Sequence, residues 1–258
     1  MAVILREMTP ELEGAFENAR IVALDVEGVD LGRFGQISLV QIARSGDRCF
    51  LLDLLNQDKD APLVAWLRGI LESPSVLKIV HDCRMDSDAL KHLLGIHLAH
   101  VHDTSAWHYR LRRQKDASLN LVLESNGMRP NVVRDSGVYL KNKAYWATRP
   151  MSKRMIEWAQ GDVSSMFQLY AIQVGQASPQ VTEEANSWSQ RHLDMARDAR
   201  AQTVHVERMG AFIGRGGRHI RQLQDRTNTL IHPRGEGMVL VYYNDNQGLQ
   251  EVQRIARQ

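Results

Sequence analysis

The sequence predicts an α/β fold, a mixed sheet flanked by helices on both sides, followed by a second, smaller α+β unit. Three observations predict it. Apolar strand-like runs come first, alternating strand and helix patterns follow, and helical patterns come last, the order expected of a sheet covered on both faces. The composition then changes near Gly175-Gln176-Ala177-Ser178-Pro179. Beyond that point the tail from Gln202 has a β-α-α-β-β-α cadence of its own. The expected organisation is a first domain over 1–176, a connecting helix over 177–201 and a second domain over 202–258.

Each element has a local reason. Thr9-Pro10-Glu11 reads as a helix start, with a Thr cap, Pro at the first helical position and acids near the positive end of the dipole. Ile21 to Glu27 is apolar on both faces until its carboxylates, as a central buried strand is. Gln36 to Ala43 and Arg48 to Leu54 read as two further strands joined by the turn signal Ser45-Gly46-Asp47. Leu63, Val64, Leu67, Ile70 and Leu71 recur at helical spacing. Val76 to Val80 reads as a short buried strand, Arg84 to Leu94 as a helix and Val101 to Thr104 as a brief strand. Leu119 to Glu124 and Ser152 to Ile172 are the clearest later helices. Thr182 to Arg200 is polar and charged, and reads as a connection rather than a core element.

The 258 residues are 43% hydrophobic and 24% charged, enough apolar content for a sizeable core. A net charge of +2 permits a nucleic-acid partner without requiring one. The two cysteines, Cys49 and Cys83, lack metal-ligand spacing and imply a reducing compartment. No apolar run reaches the roughly 18 residues of a membrane span, and the start of the chain does not read as a signal peptide. The expectation is an intracellular protein, cytoplasmic or nuclear, not secreted and not membrane-bound.

Asp25 and Glu27 are two apart on a predicted strand, so both face one side of the sheet. Two acids closing an apolar strand are costly unless a positive charge sits between them, and a divalent metal supplies one. The plainer reading is a strand end emerging into solvent. Further acids lie in His81-Asp82-Cys83-Arg84-Met85-Asp86-Ser87-Asp88, after the next buried strand, and at Asp162 on a later helix. Carboxylates at such edges suit two hard cations side by side, which would serve phosphodiester hydrolysis.

On these segments the chain resembles a known superfamily. Val22-Ala23-Leu24-Asp25-Val26-Glu27-Gly28 with Gln36 to Ala43 looks like the first exonuclease motif of the DEDD superfamily and its following strand. His81 to Leu90, with Asp86 in the acidic position, resembles the second motif, and Asp103-Thr104 the Asp-Thr after it. Arg149-Pro150-Met151-Ser152 and Trp158-Ala159-Gln160-Gly161-Asp162-Val163 resemble the third. The likeness spans Ile21 to Gln173 and is similar to RNase D, Werner-type and, more closely, Egalitarian-like domains. It implies an RNase H-like fold, 3′→5′ exonuclease activity, and Asp25, Glu27, Asp86 and Asp162 as ligands of two Mg²⁺ or Mn²⁺ ions. Asp88 reads as a solvated helix acid and Asp82 as a strand-end group. His81 and His108 read as hydrogen-bonded structural residues before acid–base groups.

One position departs from the superfamily. Its tyrosine branch has Tyr four residues before the last Asp, where this chain has Trp158; its histidine branch has His one residue earlier, where this chain has Glu157. A tyrosine hydroxyl can orient an attacking water, whereas an indole offers only an N–H donor. Trp158 is therefore a candidate catalytic-site residue and also the feature that favours a weakened or inactive adaptor. Glu157 or a nearby histidine could substitute.

Tyr109-Arg110-Leu111-Arg112-Arg113-Gln114-Lys115 concentrates positive charge around one aromatic, and Arg112 and Arg113 are candidate phosphate contacts; an ordinary solvated helix end is the alternative. Lys141, Lys143, Tyr145, Trp146 and Arg149 form a looser cluster that could stack bases. In the tail, Ile213-Gly214-Arg215-Gly216-Gly217-Arg218-His219-Ile220 places glycines where a nucleic-acid backbone could approach closely. Dinucleotide binding is the rival, but Thr203 to Met209 is short and polar for a Rossmann strand, and the remaining chain is brief. With its flanks, the segment looks like a KH domain carrying the Ile-Gly-x-x-Gly-x-x-Ile signature over Gln202 to Arg257. That resemblance implies Ile213, Gly214, Arg215, Gly216, Gly217, Arg218 and Ile220 as the strand-binding loop and its supports. The expected partner is single-stranded nucleic acid, RNA favoured over DNA; no protein partner is indicated.

Overall fold

A computed structural model of the chain describes residues 2–45, 48–135, 137–138 and 142–258. The expected turn residues Gly46 and Asp47, and Lys141 of the looser basic cluster, lie outside the described residues. The chain divides into two compact units, Met1–Leu193 and Asp194–Gln258.

The first unit is built on six strands in the order β1-β4-β3-β2-β5-β6 (β1 Ala2–Leu5, β2 Ile21–Val29, β3 Gln36–Ser45, β4 Arg48–Asp53, β5 Leu77–Val80, β6 Val101–Asp103). The β2–β3 and β3–β4 pairs are antiparallel, and the β1–β4, β2–β5 and β5–β6 pairs are parallel. The first strand was not evident in the sequence, because its four residues carry no turn signal or alternation that separates them from a frayed terminus.

The period-two alternation of β2 sorts its side chains between two cores. Val22, Leu24 and Val26 enter one, with helices α1 (Pro10–Phe16), α2 (Pro62–Leu71) and α3 (Arg84–Leu94). Ala23 enters the other, which contains Leu39, Leu51, Trp146 and Trp158 and is roofed by α5 (Leu119–Ser125), α6 (Lys153–Ser164) and α7 (Met166–Gln176). Helix α4 (Thr104–Arg112) lies between α3 and α5 in the chain. Asp25 and Glu27 share the parity of Ala23, so the strand aims them at the face that α6 covers. Caps follow the local chemistry: Thr9, Asp103, Ser118 and Ser152 each accept from an amide in the first turn of the following helix.

The stretch 152–172 is two helices rather than one. Ser165 closes α6 and opens α7. Ser164 and Ser165 turn their hydroxyls back to the Gly161 carbonyl, and Ser165 also reaches that of Asp162, the local bonding by which serine competes with a continuous helix.

Helix α8 (Pro179–Arg197) differs from the connecting role expected of it. Ala185, Ser189, His192 and Leu193 are buried, and Leu193 belongs to the core of the first unit. Its polar exterior is one face of an amphipathic helix, and the narrow buried stripe is easily lost among its charges. No helix of the described residues is long and apolar enough to cross a membrane.

The second unit has the order β7 (Arg200–His205), α9 (Met209–Ile213), α10 (Arg218–Thr227), β8 (Leu230–Gly235), β9 (Met238–Tyr243) and α11 (Asn246–Ala256). Its antiparallel sheet runs β7-β9-β8. Phe212, Ile220, Leu223, Val239, Val241, Leu249 and Val252 form its core. The cadence expected from the sequence is the one observed.

Candidate active site

Strand β2 and helix α6 bring three of the expected acids together. One carboxylate oxygen from each of Asp25, Glu27 and Asp162 lies within 4.8 Å of the others. Asp86, in the first turn of α3, is buried and adds its charge to the same field. Burial raises all of these carboxyls, and repulsion from neighbouring acids adds to it at Asp25, Glu27 and Asp86. Asp25 is pushed up to about 7 by burial and then by the Asp162 charge, with Arg134 pulling it back. Glu27 stands well above its ordinary value through burial and the Asp25 charge, and Asp86 through burial and Asp25. Asp162 is raised by burial against the opposing pull of Arg134.

Asp162 is held on three sides. Its Oδ2 accepts from the Trp158 indole Nε1 at 2.9 Å and from Arg134 Nη1 at 2.9 Å, and its Oδ1 accepts from Asn131 Nδ2 at 2.9 Å. Asn131 also donates to the Trp158 carbonyl at 2.9 Å. That approach needs Gly161, because a Cβ there would stand 2.6 Å from Asn131 Nδ2. Trp158 is itself buried and meets Trp146 edge-on at 5.4 Å, so its ring packs the core while its N–H restrains the acid one turn along.

The donors suit a hard divalent cation. They are carboxylate oxygens from two elements, short of compensating positive charge and close enough to share an ion. A further observation points the same way. Gln41 pairs across β3 from Asp25 and is fully buried, yet neither of its amide atoms has a hydrogen-bond partner. A polar side chain so placed calls for a water or a hydrated ion beside it.

The remaining acids and bases have structural partners. Asp88, expected to be a solvated helix acid, is fully buried and clamped by Arg33, whose backbone N and Nε donate at 2.7 and 2.9 Å. The correction has a clear cause: Arg33 lies 55 residues earlier, and nothing local announces the pair. Asp82 pairs with Arg84. Asp103 accepts from the amides of Asp82, Cys83, Ser105 and Ala106 and lies 3.0 Å from His192 Nδ1. Burial alone would raise its carboxyl; the His192 contact and the amides outweigh it and hold it well below the usual range. His81 meets Thr104 Oγ1 at 2.8 Å and the Ala117 carbonyl at 3.1 Å, and burial pushes it down to about 4, so it is neutral at physiological pH. Glu157 is exposed and paired with Lys153, so it does not take the place of the absent water-orienting group.

The basic clusters divide. Arg112 and Arg113 are exposed at the end of α4, where Arg112 donates to Gln176. In the looser cluster, Trp146 is a core residue, and Arg149 is bound to Asp53 through Nε and Nη2 at 2.9 and 2.7 Å, which corrects the expectation of a base-stacking surface. Arg134, Asn131 and Gln41 were missed. Asn131 and Arg134 fall in a segment without periodicity, and only the place of Gln41 across from Asp25 could have singled it out.

In the second unit, Gly214, Gly216 and Gly217 all have positive φ, at 73°, 56° and 73°. A Cβ at Gly216 would meet nothing within 4 Å, so the loop crest is open to an approaching strand. Arg215 and Arg218 are exposed, Ile220 is buried beneath, Ile213 is partly buried, and Arg221 Nη2 holds the Gly216 carbonyl at 2.6 Å.

Comparison with known proteins agrees with this geometry. The mouse piRNA biogenesis protein EXD1 is 32% identical over 113 residues, 44% of this chain and 18% of that protein. The Caenorhabditis elegans Egalitarian protein homolog is 33% identical over 103 residues, 39% of this chain and 18% of that protein. The matches thus span about a fifth of those relatives' length. Trypanosoma brucei RNase D in complex with RNA U12 superposes with a TM-score of 0.63 at 24% identity, covering 76% of this chain and 70% of that one, a likeness of fold. Residues 202–247 match the KH domain family, and residues 6–172 match the 3′-5′ exonuclease family. With well over half its length matched and the acidic motifs in order on an RNase H-like sheet, the chain belongs to the 3′-5′ exonuclease family and carries a KH domain behind its exonuclease domain.

Proposed function

We propose that the protein is a 3′→5′ exonuclease that trims or degrades single-stranded nucleic acid, RNA in preference to DNA, using Mg²⁺ or Mn²⁺, two ions in the fully loaded site. The convergence of Asp25, Glu27 and Asp162 in the field of Asp86 carries this reading. Bound there, the cations would activate a water and stabilise the leaving oxygen of a phosphodiester. The chain's own residues do the rest. Asp25 and Glu27 present fixed oxygens from a rigid strand, Asp86 adds negative charge, and Trp158 and Asn131 lock the orientation of Asp162. The exposed glycine crest with Arg215 and Arg218 holds a strand by its backbone and raises its local concentration for the nuclease, and Arg112 and Arg113 offer further phosphate contacts. Two buried free cysteines fit an intracellular setting, cytoplasmic or nuclear.

A second reading is favoured by one observation. The Trp158 N–H is spent on Asp162 and accepts no proton, so the position that holds the tyrosine in the tyrosine branch offers no group to orient a water. On that reading the exonuclease domain is an RNA-holding adaptor with little turnover. A digestion time course on 5′-labelled single-stranded RNA and DNA with Mg²⁺ or Mn²⁺ separates the two. A ladder shortening from the 3′ end, lost in Asp25→Asn, supports the enzyme. Intact binding without a ladder, with activity gained in Trp158→Tyr, supports the adaptor.

A further inference from the structure

Arg134 is the cation nearest to explaining how so many buried acids coexist. Its Nη1 lies 2.9 Å from Asp162 Oδ2, on the same oxygen that takes the Trp158 indole N–H. A carboxylate oxygen has about two lone-pair sites, so these two donors fill Oδ2. Asp162 therefore presents one oxygen already engaged by a buried neutral donor and by a partly exposed positive one.

The segment carrying Arg134 is pinned on both sides of it. Asn131 is bound to the Trp158 carbonyl and to Asp162, and Arg154 of α6 reaches the Val133 carbonyl and the Asp135 carboxylate. The Arg134 side chain is about one-third exposed, whereas Asp162 is fully buried. The backbone is thus held in place while the guanidinium has a path toward solvent. Its charge also acts on Asp25, Glu27 and Asp86, in each case opposing the rise caused by burial.

We propose that Arg134 is a tethered counter-cation that occupies the acidic cluster and competes with divalent metal for Asp162, so that full loading requires its guanidinium to leave Oδ2. The inference rests on the metal-dependent reading above and adds its regulation. One ion can be held by Asp25 and Glu27 with the arginine in place; a second that needs Asp162 Oδ2 must displace it. The displaced guanidinium is then free to pair with a phosphate of the incoming strand, which makes an oligonucleotide and metal mutually supportive ligands.

The test is Mn²⁺ binding to the full chain, followed by calorimetry and by the electron paramagnetic resonance signal of free Mn²⁺, with no substrate and no turnover. Wild type is expected to bind one ion more tightly than the second. In Arg134→Ala the weaker step should tighten on the order of tenfold or more, as removal of a nearby full charge requires. Arg134→Lys, which keeps the charge without the fork, should stay close to wild type. Unchanged or weaker binding in Arg134→Ala, while Asp25→Asn abolishes binding, overturns the role of Arg134 and leaves the metal-dependent reading intact. No Mn²⁺ binding in wild type, Arg134→Ala or Asp25→Asn overturns both. Far-ultraviolet circular dichroism confirms that each variant is folded.

Discussion

Asp25→Asn should stabilise the metal-free protein at pH 8 while abolishing its response to metal. The Asp25 carboxyl is raised from 3.8 to about 7 in the folded state. Between those values the folded protein holds a proton that the unfolded chain releases, so this group's contribution is fully present below pH 4 and is lost as pH rises through 7. A rise of about three units corresponds to roughly 4 kcal/mol of penalty on the ionised form. Asp25 is partly solvent-accessible and shares its field with three other acids, so about 2 kcal/mol is the figure to expect. Asparagine keeps the shape and never ionises. Its advantage should therefore be about 2 kcal/mol at pH 8 and less than half of that at pH 5, roughly 4–8 °C in melting temperature at the higher pH. Differential scanning calorimetry of the full chain in EDTA at both pH values, repeated with Mg²⁺, measures it. With Mg²⁺ at pH 8 the wild type should regain the difference and the variant should not move. A destabilisation by Asp25→Asn that is equal at both pH values would refute the idea that unbalanced negative charge shapes this site.

Three further outcomes follow from the geometry. Trp158→Tyr should raise single-turnover cleavage of RNA at saturating metal by about tenfold or more, because general acid–base groups contribute on that scale, at a stability cost of about 2 kcal/mol from lost volume beside Trp146; no gain in rate would mean that water orientation does not limit turnover. Arg33→Ala strands the fully buried Asp88 and should cost about 3–5 kcal/mol in urea unfolding, whereas an exposed helix acid would lose less than about 1 kcal/mol. Gly216→Asp puts a negative charge on the open crest at a positive φ, and should weaken single-stranded RNA binding by about tenfold in a filter assay with cleavage of short saturating substrates unchanged.

What the sequence made legible follows the range of the forces involved. Helix α2 was readable because apolar residues at helical spacing are a local signal. Asp25 and Glu27 were readable because a period of two on a strand points them to one face, and Asp162 through the resemblance of its motif. The bond between Trp158 and Asp162 needed only helical spacing to anticipate, although its polarity, indole to carboxylate, emerged from the structure. Arg33, Asn131 and Arg134 were not legible. Each acts across a gap of at least 27 residues, through side-chain pairs that no periodicity encodes. The buried stripe of α8 was hidden for the opposite reason, since its many charges outweighed five inward positions in any reading of composition.

The place of that helix bears on how such an exonuclease can be cut out of one protein and joined to another. The stretch that matches the exonuclease family stops at residue 172 and the KH match begins at 202, so the helix between belongs to neither. Yet Ser189 Oγ accepts from the Asp103 amide, His192 lies against the Asp103 carboxylate, and the Leu193 carbonyl takes the Ser87 hydroxyl. Asp103 in turn gathers the amides that open the second motif. A fragment ended at the family boundary would carry every candidate metal ligand and still lose the brace behind Asp86. The portable unit extends through Leu193, and a graft or a gene fusion that respects only the recognisable motifs would transplant the chemistry without its scaffold.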